Sequence, residues 1–152
     1  MIADILVKEH EELDIDIGKF LENPSTINLD NIKDKLLFHI YKEEEIIFPL
    51  IKNEDLKIRG LEMEHFAALT LLEKIYYYLK QNSIDLVIKR GEGLKRLLYQ
   101  HDLIEESEIY TKLNYFDKDF VESVKNKILN AKIPIGWKCI ASRNFYKYSS
   151  LI

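Results

Sequence analysis

Apolar positions recur every three and four residues through most of the chain, the spacing that lines one face of an α-helix. Leu6, Leu13, Ile17 and Phe20 predict a first helix over residues 2–21, stopped by Asn23, Pro24, Ser25 and Thr26. Ile32, Leu36, Ile40, Ile47 and Leu50 predict a second over 29–51. Pro49 must end or kink it, because proline has no N–H to donate. Leu61, Ala68, Leu69, Leu72, Ile75 and Leu79 predict a third over 56–80. The fourth spans 83–113, with Ser83 as N-cap and Leu86, Ile88, Leu94, Leu97, Leu98, Ile104 and Ile109 along it. Residues 117–131 read as a shorter fifth helix carrying Phe120, Val124 and Ile128. Short polar connections make consecutive helices antiparallel. The expected fold is therefore all-α: an up-down-up-down four-helix bundle over residues 1–115, followed by a short C-terminal helix and tail over 116–152. That extension is expected to pack on the bundle or on a partner. Its tail, 132–152, contains Pro134, Gly136 and Trp137 and has no clear period.

Composition narrows the class. A chain of 152 residues, 47% hydrophobic and 32% charged, has the mixture of one globular domain rather than a disordered segment. Only 5 glycines and 3 prolines interrupt it, which favours long helices over a turn-rich β fold. A net charge of -4 and a pI near 5.6 argue against nucleic acid as a partner. No apolar run approaches the ~18 residues of a membrane span, and Met1 to Glu12 do not form a secretory signal. Cys139 is the single cysteine, so an internal disulfide, a CxxC redox pair and a thiolate zinc cage are excluded. A cytoplasmic location is expected.

The candidate chemistry lies in the histidines. There are four, His10, His39, His65 and His101, one on each predicted helix and each within an apolar stripe. Two have a glutamate four residues on, giving His39-x3-Glu43 and His101-x3-Glu105. Four residues are about one helical turn, so Glu43 and Glu105 share the inward face of their histidines. A buried carboxylate without a partner is costly, and a cation removes that cost. One histidine on an apolar face is ordinarily a core or half-exposed residue, and one His-x3-Glu is ordinarily a surface pair. That reading must explain four inward histidines and two identical pairs separately. Imidazoles with carboxylates suit iron better than magnesium or calcium, which prefer all-oxygen shells. Other metal patterns fit poorly. A ferritin-like bundle needs Glu-x-x-His on two helices; Glu62 and His65 supply one, whereas Leu36 and Leu98 stand three before His39 and His101. No His-Glu-x-x-His motif occurs.

Lys8-Glu9-His10, His39-x3-Glu43-Glu44 followed by Phe48-Pro49, Glu64-His65 and His101-x3-Glu105-Glu106 together resemble the motifs of the hemerythrin-like (HHE cation-binding) family, over residues 2–113. The resemblance implies that His10, His39, His65 and His101 are terminal ligands of two iron ions, bridged by Glu43, Glu105 and an oxo or hydroxo group. One position departs. Oxygen-carrying members place a fifth histidine one turn from the third-helix one, and Leu61 and Leu69 stand one turn either side of His65. Glu62 is the candidate extra ligand, with Glu44 and Glu108 behind it. The gap argues against reversible oxygen carriage and leaves metal binding intact. The expected function is a non-haem di-iron protein that binds or senses dioxygen or nitric oxide. The alternatives are a di-iron oxidase or peroxidase, or an iron sensor or donor.

Weaker features give less. Gly91-Glu92-Gly93 follows no strand, so packing is expected there rather than a phosphate loop. Tyr76, Tyr77 and Tyr78 cannot all face the core. Trp137, Lys138, Arg143, Phe145, Tyr146, Lys147 and Tyr148 interleave basic and aromatic side chains, and docking on the bundle or in a homodimer is expected of them.

Overall fold

A computed structural model describes residues 1–143. Phe145, Tyr146, Lys147 and Tyr148, of which docking was expected, lie outside the described residues. The four long helices are α1 (Ile2–Glu22), α2 (Thr26–Lys42), α3 (Asp55–Lys80) and α4 (Ile84–Ile104), with α5 (Lys118–Leu129) after them. Among the described residues there is no strand. α1 packs on α2 and α4, and α3 likewise packs on α2 and α4, which closes a four-membered ring.

Two apolar clusters, one above the other, set the helix directions. The first contains Leu13, Ile17, Ile32, Leu36, Ala68, Leu72, Leu94 and Leu98. The second contains Ile2, Leu6, Ile47, Phe48, Ile58, Leu61, Ile109 and Leu113, capped by Val124 and Ile128 of α5. α1 and α3 run from the second cluster to the first, whereas the chain along α2 and α4 runs from the first to the second. The bundle is therefore up-down-up-down. All four histidines fall between the clusters, in a polar layer with apolar packing above and below.

The second and fourth helices are not continuous, contrary to the sequence expectation. α2 gives way at Glu43–Ile47 to a π-helical turn and then a 3₁₀ turn over Phe48–Leu50. α4 does the same at Glu105–Ile109 and Tyr110–Tyr115. In each π turn an N–H reaches five residues back, from Phe48 to the Glu43 carbonyl and from Tyr110 to the Glu105 carbonyl. The apolar stripe hides this, because core residues resume within the next turn, at Ile47 and Ile109. Such turns concentrate at functional sites, and here each begins at a buried glutamate.

Helix ends follow local chemistry. Ser25 accepts the Asn28 N–H at 3.2 Å and starts α2 three residues earlier than the stripe suggests. Ser83 stands at the head of α4 but its hydroxyl makes no capping bond. Asp117 caps α5 by accepting the Phe120 N–H at 2.9 Å. Leu86, expected on the inward stripe, is exposed, and Val87 is buried instead. Gly91 is a packing glycine: a Cβ there would lie 2.7 Å from Leu21 Cδ2, so its absence lets α4 approach α1. Gly60 has no such reason. It is exposed inside α3, and nothing lies within 4 Å of an added Cβ. Gly60→Ala is expected to stabilise the fold by about 0.5–1 kcal/mol, because alanine loses less backbone entropy in a helix. A raised urea midpoint at unchanged slope is the readout.

The C-terminal extension leans on α2 and the turn that follows it. Trp137 meets the Tyr41 ring edge-on and donates its indole N–H to Glu45 at 2.9 Å. Arg143 pairs with the same carboxylate at 3.2 Å. Cys139 is buried in the first apolar cluster, and burial pushes its thiol up.

Candidate metal centre

Each long helix brings its histidine into the polar layer, and the π turns begin at the two glutamates that join them. His10, His39, His65 and His101 are buried, and Glu43 and Glu105 have no exposure at all. The Nε2 atoms face inward. His39 Nε2 lies 3.1 Å from Glu43 Oε1 and 3.0 Å from His10 Nε2. His10 Nε2 is 3.2 Å from Glu105 Oε1. On the other side, His65 Nε2 is 3.2 Å from Glu43 Oε1 and His101 Nε2 is 3.0 Å from Glu105 Oε2. Two groups result, each with ligand-type atoms within 4.8 Å of one another: His10, His39, Glu43 and Glu105, and Glu43, His65, His101 and Glu105. Both glutamates belong to both groups.

The outward Nδ1 atoms are held as well. His10 Nδ1 meets Glu106 at 2.8 Å, His39 Nδ1 meets Glu9 at 2.7 Å, His65 Nδ1 meets Glu44 at 2.7 Å and His101 Nδ1 meets Glu64 at 3.3 Å. A carboxylate can only accept, so each Nδ1 carries the proton and donates. Once an imidazole is neutral, its Nε2 is thereby left with the lone pair toward the centre. This histidine-on-carboxylate arrangement fixes ring orientation and raises the basicity of a metal-binding nitrogen.

Sequence reasoning missed these four carboxylates as a set, although a signal was present. Each stands one residue from a central residue: Glu9 before His10, Glu64 before His65, Glu44 after Glu43 and Glu106 after Glu105. Neighbours on a helix point about 100° apart, so each reaches not its neighbour but the histidine of an adjacent helix. Glu9 also pairs with the buried Lys42. Glu44 turns its other oxygen outward to accept the Ile140 N–H at 2.8 Å, which ties the C-terminal extension to His65. Glu62 lies in neither group. It borders a surface groove with Glu44, Phe48 and Arg59, where burial and the Glu44 charge raise its pKa. Glu108 is exposed and pairs with Lys57 at 3.6 Å.

Electrostatics measure how strongly this layer wants positive charge. Burial alone would lower every imidazole pKa. The carboxylates overcome it. Glu43 and Glu9 hold His39 up to about 10, and Glu105 and Glu64 hold His101 up to about 9. His65 is raised well above its usual value by Glu105, Glu43 and Glu44, and His10 is raised chiefly by Glu105. Burial likewise opposes ionisation of Glu105, yet His101, Glu43 and His10 keep its pKa well below the usual range. Asp102, beside the layer, is pushed up to about 7 by its own burial and by Glu105, against the pull of His10.

Glu43 Oε1, His65 Nε2, His101 Nε2 and Glu105 Oε2 are buried and approach one another, at 3.2 Å for His65–Glu43 and 3.0 Å for His101–Glu105, without the geometry of a hydrogen bond. They are one atom from each member of the second group. Buried polar atoms in folded proteins are nearly always paired, so four convergent exceptions are what a cation would satisfy. The residues present fit a metal. A cavity of 240 Å³ runs to this layer between α1 and α4, from Glu11, Asp14, Tyr99 and Leu103 at its mouth to His10, His39, His65 and His101 at its base.

The family model described as the hemerythrin HHE cation-binding domain matches residues 1–113. The chain belongs to the hemerythrin HHE cation-binding domain family. The match takes in α1 to α4 and the π turns and ends before α5. No curated protein and no solved structure matches the chain. As an HHE domain it carries both His/Glu groups on the matched residues. Among the described residues, no helix is long and apolar enough to cross a membrane.

Proposed function

We propose that this HHE domain is a non-haem di-iron protein that binds dioxygen or nitric oxide. His10 and His39 would hold one ion, His65 and His101 the other, with Glu43 and Glu105 shared between them and an oxo or hydroxo group completing the bridge. The observation that carries the reading is the set of four unpartnered, convergent ligand atoms between two groups that share both carboxylates. Two shared carboxylates offset part of the charge of two cations, and mixed nitrogen and oxygen donors favour iron over magnesium or calcium. Iron in such a site would supply an open coordination position able to bind a diatomic gas.

The chain's own residues then limit what reaches it. The cavity of 240 Å³ would hold several waters, each taking about 30 Å³ of liquid volume, and is smaller than a typical pocket for an organic substrate. Leu13, Ile17, Leu36, Ile40 and Leu98 give it an apolar wall that a neutral gas can cross, and Glu11, Asp14, Asp102 and Glu106 on the same lining disfavour an anion. The carboxylates on Nδ1 keep the rings from turning away. Anaerobic protein loaded with ferrous iron is expected to change its visible spectrum within mixing time on addition of nitric oxide or dioxygen. Two irons bound with no response to either gas would defeat the gas-binding reading. Sustained peroxide turnover by the same sample would move the function to the enzymatic alternative.

A further inference from the structure

The centre has an approximate two-fold relation that exchanges α1 with α3 and α2 with α4. Glu9-His10 corresponds to Glu64-His65, and His39, Glu43 and Glu44 correspond to His101, Glu105 and Glu106. The hydrogen bonds obey it. Glu9 of α1 holds His39 of α2, as Glu64 of α3 holds His101 of α4. Glu44 holds His65, as Glu106 holds His10. The aromatic residue after each π turn obeys it too. Phe48 stacks on His65 with ring centres 5.8 Å apart, and Tyr110 stacks on His10 at 5.6 Å.

Two of the positions where the relation breaks lie at the donor atoms, and both favour the same side. Tyr110 stands where its counterpart is Phe48, and Asp102 stands where its counterpart is Ile40. The Tyr110 oxygen lies 2.7 Å from Glu43 Oε2, 3.1 Å from His10 Nε2 and 3.5 Å from Glu105 Oε1. Asp102 Oδ1 lies 3.3 Å from His10 Nε2. The first group thus gains a buried phenol, and the second has a hydrocarbon edge in the corresponding place.

The spacing says what the phenol does. Donor atoms in one octahedral shell with bonds of about 2.1 Å lie roughly 3 Å apart along its edges. The His10–His39, His39–Glu43 and His10–Glu105 separations, 3.0, 3.1 and 3.2 Å, match that edge. The phenol oxygen is at comparable distances from Glu43 Oε2 and His10 Nε2, 2.7 and 3.1 Å, and somewhat farther, 3.5 Å, from Glu105 Oε1. It stands among the donor atoms, in their shell, rather than behind them.

We propose that Tyr110 is a fifth protein ligand, binding as phenolate to the ferric ion held by His10 and His39, so that the two metal positions are chemically inequivalent. The proposal rests on the di-iron reading above. In the ligation step the phenol O–H bond breaks, an oxygen–iron bond forms, and the proton leaves to solvent; no electron is transferred. Without a cation the hydroxyl donates to Glu43, as seen here, and a bound cation reverses that preference because it stabilises the anionic oxygen.

The test is iron content together with resonance Raman spectra of the ferric protein, for wild type, Tyr110→Phe and Tyr99→Phe. Wild type is expected to hold two irons per chain and to show tyrosinate ring vibrations enhanced by excitation in a visible charge-transfer band. Tyr110→Phe, which conserves the ring and its stacking, should keep two irons and lose both band and vibrations. Tyr99→Phe, at the mouth of the same cavity, should keep them. Two irons in wild type without tyrosinate vibrations, or vibrations that persist in Tyr110→Phe, overturn the proposal and leave the di-iron reading standing. One iron with tyrosinate vibrations that Tyr110→Phe removes overturns the two-ion reading, and the inequivalence of two positions with it, while supporting Tyr110 as a ligand. No iron bound overturns both.

Discussion

If the centre holds the proposed pair of ions, Glu105→Ala is expected to cost the protein both, whereas His65→Ala should cost only one. The difference follows from membership of the two groups. Glu105 places one oxygen 3.2 Å from His10 Nε2 and the other 3.0 Å from His101 Nε2, on opposite sides of the centre. Its loss takes a ligand from each position and leaves Glu43 as the sole shared negative charge. His65 belongs only to the second group, and its loss leaves His10, His39, Glu43 and Glu105 in place. Iron per chain in ferrous-loaded, desalted protein should read about two for wild type, about one for His65→Ala and close to none for Glu105→Ala. Glu105→Gln, nearly the same size and uncharged, separates the loss of charge from any cavity the alanine leaves. Two irons retained in both Glu105 variants would mean that the carboxylate is a structural partner of the histidines and not a bridge.

The readable part of this centre was the part written in helical period. Each histidine sits in a three- and four-residue apolar stripe, and a stripe faces the core whatever the neighbouring helices do. His39 with Glu43 and His101 with Glu105 are one turn apart on one face, so their inward direction was also local information. What surrounds them was not. Glu9 reaches His39 and Glu64 reaches His101 on the adjacent helix, and those distances depend on how helices pair. The two π turns were hidden because hydrophobic spacing tolerates one inserted residue, although Pro49 marked the end of the first. Tyr110 looked like one more aromatic residue near a helix end. Only its relation to Phe48 in three dimensions singles it out.

Glu62 shows the opposite limit. Its spacing of three before His65 is that of a metal-binding pair on a helix, and the sequence gives no reason to prefer the inward direction over the outward one. In the folded chain the second turn of that face is taken by Leu61, which is buried beneath His65, while Glu62 turns toward Glu44 and solvent. The carboxylate beside the centre that the spacing did not suggest is Asp102. It follows His101 by one residue and is carried toward His10 by the approach of α4 to α1, an approach that Gly91 permits further along the same interface.

Metal loading should raise the melting temperature substantially, by more than any single substitution discussed here except loss of the ligands themselves. A ligand that binds only the folded state at a hundred times its Kd stabilises by about 2.7 kcal/mol. Two ions at that level give roughly 5 kcal/mol, and each kcal/mol moves the midpoint of a domain of this size by about 2–4 °C. A rise on the order of 10–20 °C between chelator-treated and iron-loaded protein is expected in anaerobic calorimetry. The gap should widen with pH. Folded-state imidazole values of about 10 for His39 and about 9 for His101 lie above the ~6.5 of an unfolded histidine. The metal-free protein therefore has its imidazolium–carboxylate stabilisation in full below that unfolded value and loses it as pH rises through 9 to 10. Iron needs the neutral imidazole, so its binding strengthens over the same interval. Equal melting temperatures with and without iron at both ends of that range would show that the polar layer is complete with protons alone, and the four unpartnered atoms would then require a structural explanation.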